Sequence, residues 1–554
     1  MKTWVALGLA VGVAAAHGAP ADEDVAARTF LALRSGKLSA QEAAAQVHAF
    51  TGAMDRAGLP HAATVALFMV AAQEDDTGAA AEREVQRRAV ADPLALGLAM
   101  RFPTPRLTPA AAVRVARAHL DEALVLAPPP EGEAFATMAS SQAPGVEPAT
   151  AGAPVRAASP EEAGEPIVSA AQRLARAELD RARQIAAQVP ERDPSAGEAH
   201  EVSALAALAA GDTESAEREF EAVTRVVPKG EAAIERRENA LLQLARLAYA
   251  RGDDARAQAL YGKVSRGAAQ WLDALFESSW SHFRRGEDEK ALGNLLTLHA
   301  PFFQGRYFPE SNVLKALVLY ENCRYGEARR ALQDFEARYR PVHDALVRGL
   351  STWQTPQAIV DALMSGAPAL LATVVEPARP DVKRLLSSPE LELALREIAA
   401  LNTELDSMDR RDMSFRSSSL ALVVIPQVRA ARLDLIQRTG ERARAAIWIE
   451  RGELRELLGQ SLRLDFEIAG REKELAEQPA ASPRMTAHRP RTEVGDDEEL
   501  WPFQGEYWRD ELGSYRFQLG DRCVQGPKAP VQEAGAPPRE PAAAAAAEGA
   551  TSPP

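Results

Sequence analysis

Gly252-Asp253-Asp254-Ala255-Arg256-Ala257 and Gly286-Glu287-Asp288-Glu289-Lys290-Ala291 decide how this chain folds. In each stretch an alanine follows a glycine by five residues. A large apolar residue stands four places after the alanine (Tyr261, Leu295), and another three places further on (Val264, Leu298). The same frame returns upstream as Gly211, Ala216, Phe220 and Val223, and downstream as Cys323, Ala328, Leu332 and Phe335. Each copy predicts a pair of helices. The glycine ends the first helix where the chain turns tightly. The alanine is small because the two helices cross closely there, and the larger residues fill the groove against the next copy. No copy can bury its faces alone, so the copies must stack.

Ala257 and Ala291 are 34 residues apart, the length of a tetratricopeptide repeat. The four copies resemble that family. They depart from it in spacing, with 41 residues between the first two alanines and 37 between the last two, and in lacking the early tryptophan. The expected fold is all-α: a tetratricopeptide-like α-solenoid over 167–342. An N-terminal helical unit would precede it and a long helical hairpin would follow.

Composition agrees with a helical chain. The 554 residues are 46% hydrophobic but only 6% aromatic, a balance that favours helices over sheets. The formal charge of −14 argues against nucleic-acid binding, which needs a basic face. Two cysteines exclude a disulfide-stapled scaffold or a Cys-rich zinc fold.

Working outward, residues 1–16 read as a signal peptide, with Lys2 ahead of an apolar run and Ala14 and Ala16 at the cleavage site. The expected location is the periplasm, with no stable membrane insertion after cleavage. Residues 22–127 carry several helical stripes, such as Val65, Phe68, Met69 and Ala72. Proline density marks 128–166 and 479–499 as linkers and 524–554 as a disordered tail. Between 343 and 478 the apolar spacing lengthens into coiled-coil-like helices. A hairpin turn is expected near 410–426, around Pro426, and Pro341 is expected just past the last repeat.

The chemistry-bearing motifs are absent: no HExxH, phosphate-binding glycine loop, GxSxG or GxGxxG occurs. The histidines have no metal-ligand spacing in sequence, so no catalytic, cofactor or metal residues are expected. Binding surfaces offer more. The repeat frame places Leu242, Arg246, Phe276, Trp280, Val313 and Leu317 on a protein-binding groove, while Tyr249, Phe283 and Tyr320 are assigned to core packing. Residues 500–523 hold six aromatics, among them Trp501, Phe503, Tyr507 and Trp508. A piece too short to fold alone but rich in aromatic anchors is suited to docking, and the chain's own groove is one expected receptor. Cys323 and Cys523 form a disulfide or remain two thiols. As a disulfide they would pin the tail to the fourth repeat and close a loop of about 200 residues, worth about 5 kcal/mol in the chain-entropy model.

Three stretches carry a closer likeness: Tyr307-Phe308-Pro309-Glu310, Asn322-Cys323-Arg324-Tyr325, and Trp501-Pro502-Phe503-Gln504-Gly505-Glu506-Tyr507-Trp508 with its continuation to Gly513. They resemble exported tetratricopeptide proteins of myxobacteria and their relatives, including periplasmic components of the adventurous gliding motility machinery. The resemblance implies a non-enzymatic scaffold that binds other periplasmic and outer-membrane proteins of an envelope complex. A periplasmic chaperone for outer-membrane proteins is the alternative expectation, and a cell-wall enzyme or its regulator a third.

Overall fold

The computed structural model describes residues 20–101, 107–126, 170–227, 229–376, 378–477 and 495–519. The signal segment, the 128–166 linker, most of the 479–499 linker, the tail from 520 onward and Cys523 lie outside the described residues. Among those described there are helices and no strand. Among the described residues no helix is long and apolar enough to cross a membrane.

The repeat frame folds into consecutive helix pairs, and the cause is local. Gly211, Gly252 and Gly286 sit at φ of 80°, 80° and 72°, the left-handed turn that glycine adopts without steric cost. Asp212 and Asp253 then cap the following helices by accepting from the N–H groups of Ser215 and Arg256, each at 3.0 Å. The four pairs are α8 (Ala196–Ala209) with α9 (Thr213–Arg225), α10 (Glu231–Ala250) with α11 (Asp254–Tyr261), α12 (Trp271–Arg284) with α13 (Asp288–Leu298), and α14 (Pro309–Glu321) with α15 (Tyr325–Thr352). Ala216, Ala257, Ala291 and Ala328 are all fully buried at 0%, so any larger side chain would force the paired helices apart. Phe220, Tyr261, Leu295 and Leu332 are buried against them. At the fourth turn Cys323 takes the glycine's place with φ 56°, a conformation that strains a residue carrying a Cβ.

Helix pairing extends further towards the N-terminus. The pairs α1 (Pro20–Arg34) with α2 (Ala40–Arg56) and α3 (Pro60–Ala71) with α4 (Asp76–Ala89) lead through α5 (Pro93–Ala99) to α6 (Pro109–Leu126). The last of these packs on α7 (Ala170–Ala186), the next described helix. Leu120 and Leu179 lie in one core with Val202. The expected division at 128–166 is therefore not a division between cores. Apolar faces on either side meet, because neither α6 nor α7 can bury its stripe alone.

The C-terminal half ties the chain together. After α16 (Pro356–Met364), α17 (Pro368–Leu371) and α18 (Arg379–Leu385) come α19 (Pro389–Asp409) and α20 (Met413–Arg416). The final helix, α21, runs for 59 residues from Ser419 to Glu477, about 90 Å at 1.5 Å per residue. The two prolines behave differently from expectation. Pro341 lies inside α15 and Pro426 inside α21, so the turn comes at 410–418 instead of reaching 426. Pro426 and Leu422, whose carbonyl loses its helical partner, both face solvent, where water can satisfy the freed oxygen.

Along its length α21 joins three cores. Leu420, Val424, Val428 and Leu435 pack with the N-terminal pairs and with Ile398 and Leu405 of α19. Ile447, Leu454 and Leu458 pack with Val313, Phe335 and Tyr339 of the fourth pair. Ile468 joins the core of the third and fourth pairs. The N-terminal unit is thus not free-standing: residues separated by more than 300 positions share its core.

Candidate docking site

The groove expected from the repeat frame is largely filled. Leu242, Phe276 and Val313 are 2%, 6% and 6% exposed, and Trp280 and Leu317 are half-buried. Val313 is covered by α21, and Phe276 meets Phe308 with ring centroids 5.8 Å apart. Arg246 donates bidentately to Glu277 at 2.6–3.0 Å, a charge-assisted fork that satisfies a nearly buried carboxylate. The three residues assigned to the core divide, with Tyr249 buried and Phe283 and Tyr320 half-buried. Tyr249 carries the Arg284 guanidinium 3.8 Å above its ring.

Beside these residues lies an acidic interior. Tyr307 Oη donates to Glu450 at 2.5 Å. Burial, with Glu453 and Glu277 nearby, pushes Glu310 up to about 7. Burial and the neighbouring Glu450 push Glu453 up to about 7 as well. These carboxyls come from α12, α14 and α21, meeting where the long helix closes over the fourth pair.

The C-terminal segment does not enter that region, contrary to the expected receptor. Residues 510–519 instead lie along α13, the second helix of the third pair. Gly513 N–H donates to Thr297 Oγ1 at 2.9 Å, Phe517 N–H to the Glu289 carbonyl at 2.9 Å and Leu519 N–H to Glu289 Oε1 at 3.1 Å. Glu289, Gly293 and Thr297 are four residues apart and form one helix face. Gly293 makes the contact possible, since a Cβ there would lie 1.7 Å from the Tyr515 carbonyl oxygen. Leu512 and Leu519 are buried, and the Arg324 guanidinium donates to the Leu519 carbonyl. Cys323, next to that arginine, is disulfide-bonded. The chain's other cysteine, Cys523, lies outside the described residues.

This strap leaves its aromatics outside. Trp501 and Phe503 are each 50% exposed and Trp508 39%, while Tyr507 is half-buried. They pack on one another, Trp501 on Trp508 at 4.6 Å and Phe503 on Tyr507 at 5.2 Å between ring centroids. Polar bonds fix the knob. The Trp501 indole N–H donates to Glu506, holding that carboxyl below its usual range. Tyr515 Oη accepts from Trp508 N–H at 2.8 Å and lies 3.1 Å from the Trp508 carbonyl. Next to the knob, Arg509 and Leu512 form one wall of a cleft of about 580 Å³. Trp271, Phe303, Ile234 and Glu238 are among its other lining residues.

One further cluster escaped sequence reasoning because one of its members lies more than 300 residues from the other two. His61, Asp92 and Glu397 bring donor atoms within 4.8 Å of one another. No protein-family model matches the chain, and no curated protein is detectably similar to it in sequence.

Proposed function

We propose that this protein is an exported, non-enzymatic scaffold whose helix pairs form a tetratricopeptide-like solenoid and which docks other proteins of a cell-envelope complex. The observation that carries the reading is the aromatic knob. Leu500, Trp501, Phe503 and Trp508 are exposed together, on a segment held to the body by backbone hydrogen bonds. Rigid, clustered aromatics presented to solvent have the makeup of interface anchors, because they add contact area at little further entropy cost. The filled groove disfavours the chaperone reading, which needs an open apolar surface for unfolded clients. The likeness of residues 307–310, 322–325 and 501–513 to exported gliding-motility scaffolds supports an envelope complex as the setting.

A photo-crosslinking amino acid placed at Phe503 in cells that make the protein tests this reading. The expected result is a small, constant set of periplasmic or outer-membrane proteins attached at that position, lost when Trp501 and Trp508 are changed to alanine. Diffuse labelling, or attachment to cytoplasmic proteins only, would contradict it.

A further inference from the structure

His61 lies in the first turn of α3 and faces two acidic residues of α19. Its Nδ1 sits 2.6 Å from Glu404 Oε2. Glu404 also accepts the backbone N–H groups of His61 and Ala62, at 3.1 and 2.7 Å, and so closes the N-terminus of that helix. With Nδ1 held there, Nε2 is turned towards Glu397 and lies 3.0 Å from its Oε1. That oxygen is buried but receives no well-aligned hydrogen bond. Asp92 completes the group. It caps α5 through one oxygen, which accepts from Leu94 and Ala95 at 2.8 and 3.1 Å.

Two features point to a cation. First, three carboxylates meet one imidazole in a closed seam, with the His61 and Glu397 side chains each 12% exposed and Glu404 4%. The helix N-terminus and Nδ1 answer Glu404. Glu397 and Asp92 then share His61 as their one cationic neighbour, with the donor atoms of all three within 4.8 Å of one another. Like charges held together out of water call for a proton or a cation between them. Second, the orientation is that of a ligating histidine. One ring nitrogen is fixed by a carboxylate while the other faces the donor set, the arrangement that sets the tautomer and ring angle at protein metal sites.

We propose that His61 Nε2, Glu397 Oε1 and an Asp92 carboxylate oxygen form a binding site for one divalent transition-metal ion of the zinc type. Glu404 acts as the positioning residue behind the imidazole. One nitrogen and two oxygens suit Zn²⁺ with a water in the fourth position. Two carboxylates and a neutral imidazole balance its charge, and any proton on the donor atoms leaves to solvent as the ion binds. Because the ligands come from α3, the α5 cap and α19, the ion would staple the N-terminal pairs to the C-terminal half.

The test uses the full-length mature protein, stripped with a chelator and titrated with Zn²⁺ against a chromophoric competitor. One equivalent should bind. Glu397→Gln and His61→Ala should lower the affinity at least 100-fold, and Glu404→Gln about 10- to 100-fold. His343→Ala, at a His–Asp pair on α15 outside this seam, should leave it unchanged. Asp92→Asn keeps a competent helix cap, so it should fold like the parent in chelator yet bind more weakly. X-ray absorption at the zinc edge of the loaded parent protein supplies a readout independent of any variant. It should show one imidazole and two or three oxygens at about 2.0–2.1 Å. Absence of stoichiometric binding, equal affinity in parent and variants, or a shell of several imidazoles or of water alone would each overturn the proposal.

Discussion

Gly293→Ala is the sharpest probe of the strap. The added Cβ would stand 1.7 Å from the Tyr515 carbonyl oxygen, about half an ordinary carbon–oxygen contact distance. Backbone is met on one side and helix on the other, so the strap must lift by about 1.5 Å or more. The three strap N–H bonds of 2.9–3.1 Å would then exceed bonding range. At about 0.5–1.5 kcal/mol each, docking weakens by about 1.5–4.5 kcal/mol. Helix α13 meanwhile gains up to about 1 kcal/mol, because alanine replaces an interior glycine. The two effects separate in hydrogen exchange. Amides of 513–519 should exchange about 10- to 1,000-fold faster in the variant, while those of 290–298 keep or increase their protection and the melting temperature stays level. Unchanged protection over 513–519 would refute the placement of the strap on this helix.

Other outcomes follow from single sites. Glu310 has a folded pKa of about 7 against an ordinary 4.5, so the native state holds the extra proton between those values. Stability should therefore fall as pH rises from about 4.5 to 7 and remain lower above. Glu310→Gln should leave urea stability unchanged at pH 4 and raise it by about 1–3 kcal/mol at pH 8. Arg246→Ala strands Glu277, whose side chain is 4% exposed, and should cost about 3–5 kcal/mol in denaturant titration at neutral pH. Cys323→Gly, compared with the reduced parent to remove the bond from both, should raise stability by about 1 kcal/mol by releasing the left-handed strain at φ 56°; calorimetry under reducing conditions measures it.

The repeat pairs could be read from sequence because their determinants are local. A glycine able to adopt positive φ, a small residue at the crossing and apolar residues at fixed offsets all lie within a dozen positions. The same logic misled at Pro341 and Pro426. A proline is better tolerated inside a helix where the freed carbonyl can bond water, and the solvent-facing site of Pro426 cannot be seen in sequence. Leu242, Phe276 and Val313 lie on α10, α12 and α14, the first helices of their pairs. Val313 is covered by α21 and Phe276 by Phe308, contacts that the repeat frame does not encode, while Leu242 is buried in the core of the first two pairs. The strap left one clue that went unused: Gly293 sits mid-helix, where glycine costs about 1 kcal/mol and so marks a close backbone approach. His61, Asp92 and Glu397 gave no clue at all, since only the folded chain brings α3, the α5 cap and α19 together.

Helix α21 joins three cores, and hydrogen exchange along its length reports on that role. Amides from 420 to 468 should share the slow exchange of the buried repeat helices, with fast exchange confined to the last turns before 477. Exchange within minutes throughout 440–477, as for a helix projecting alone into water, would contradict the account.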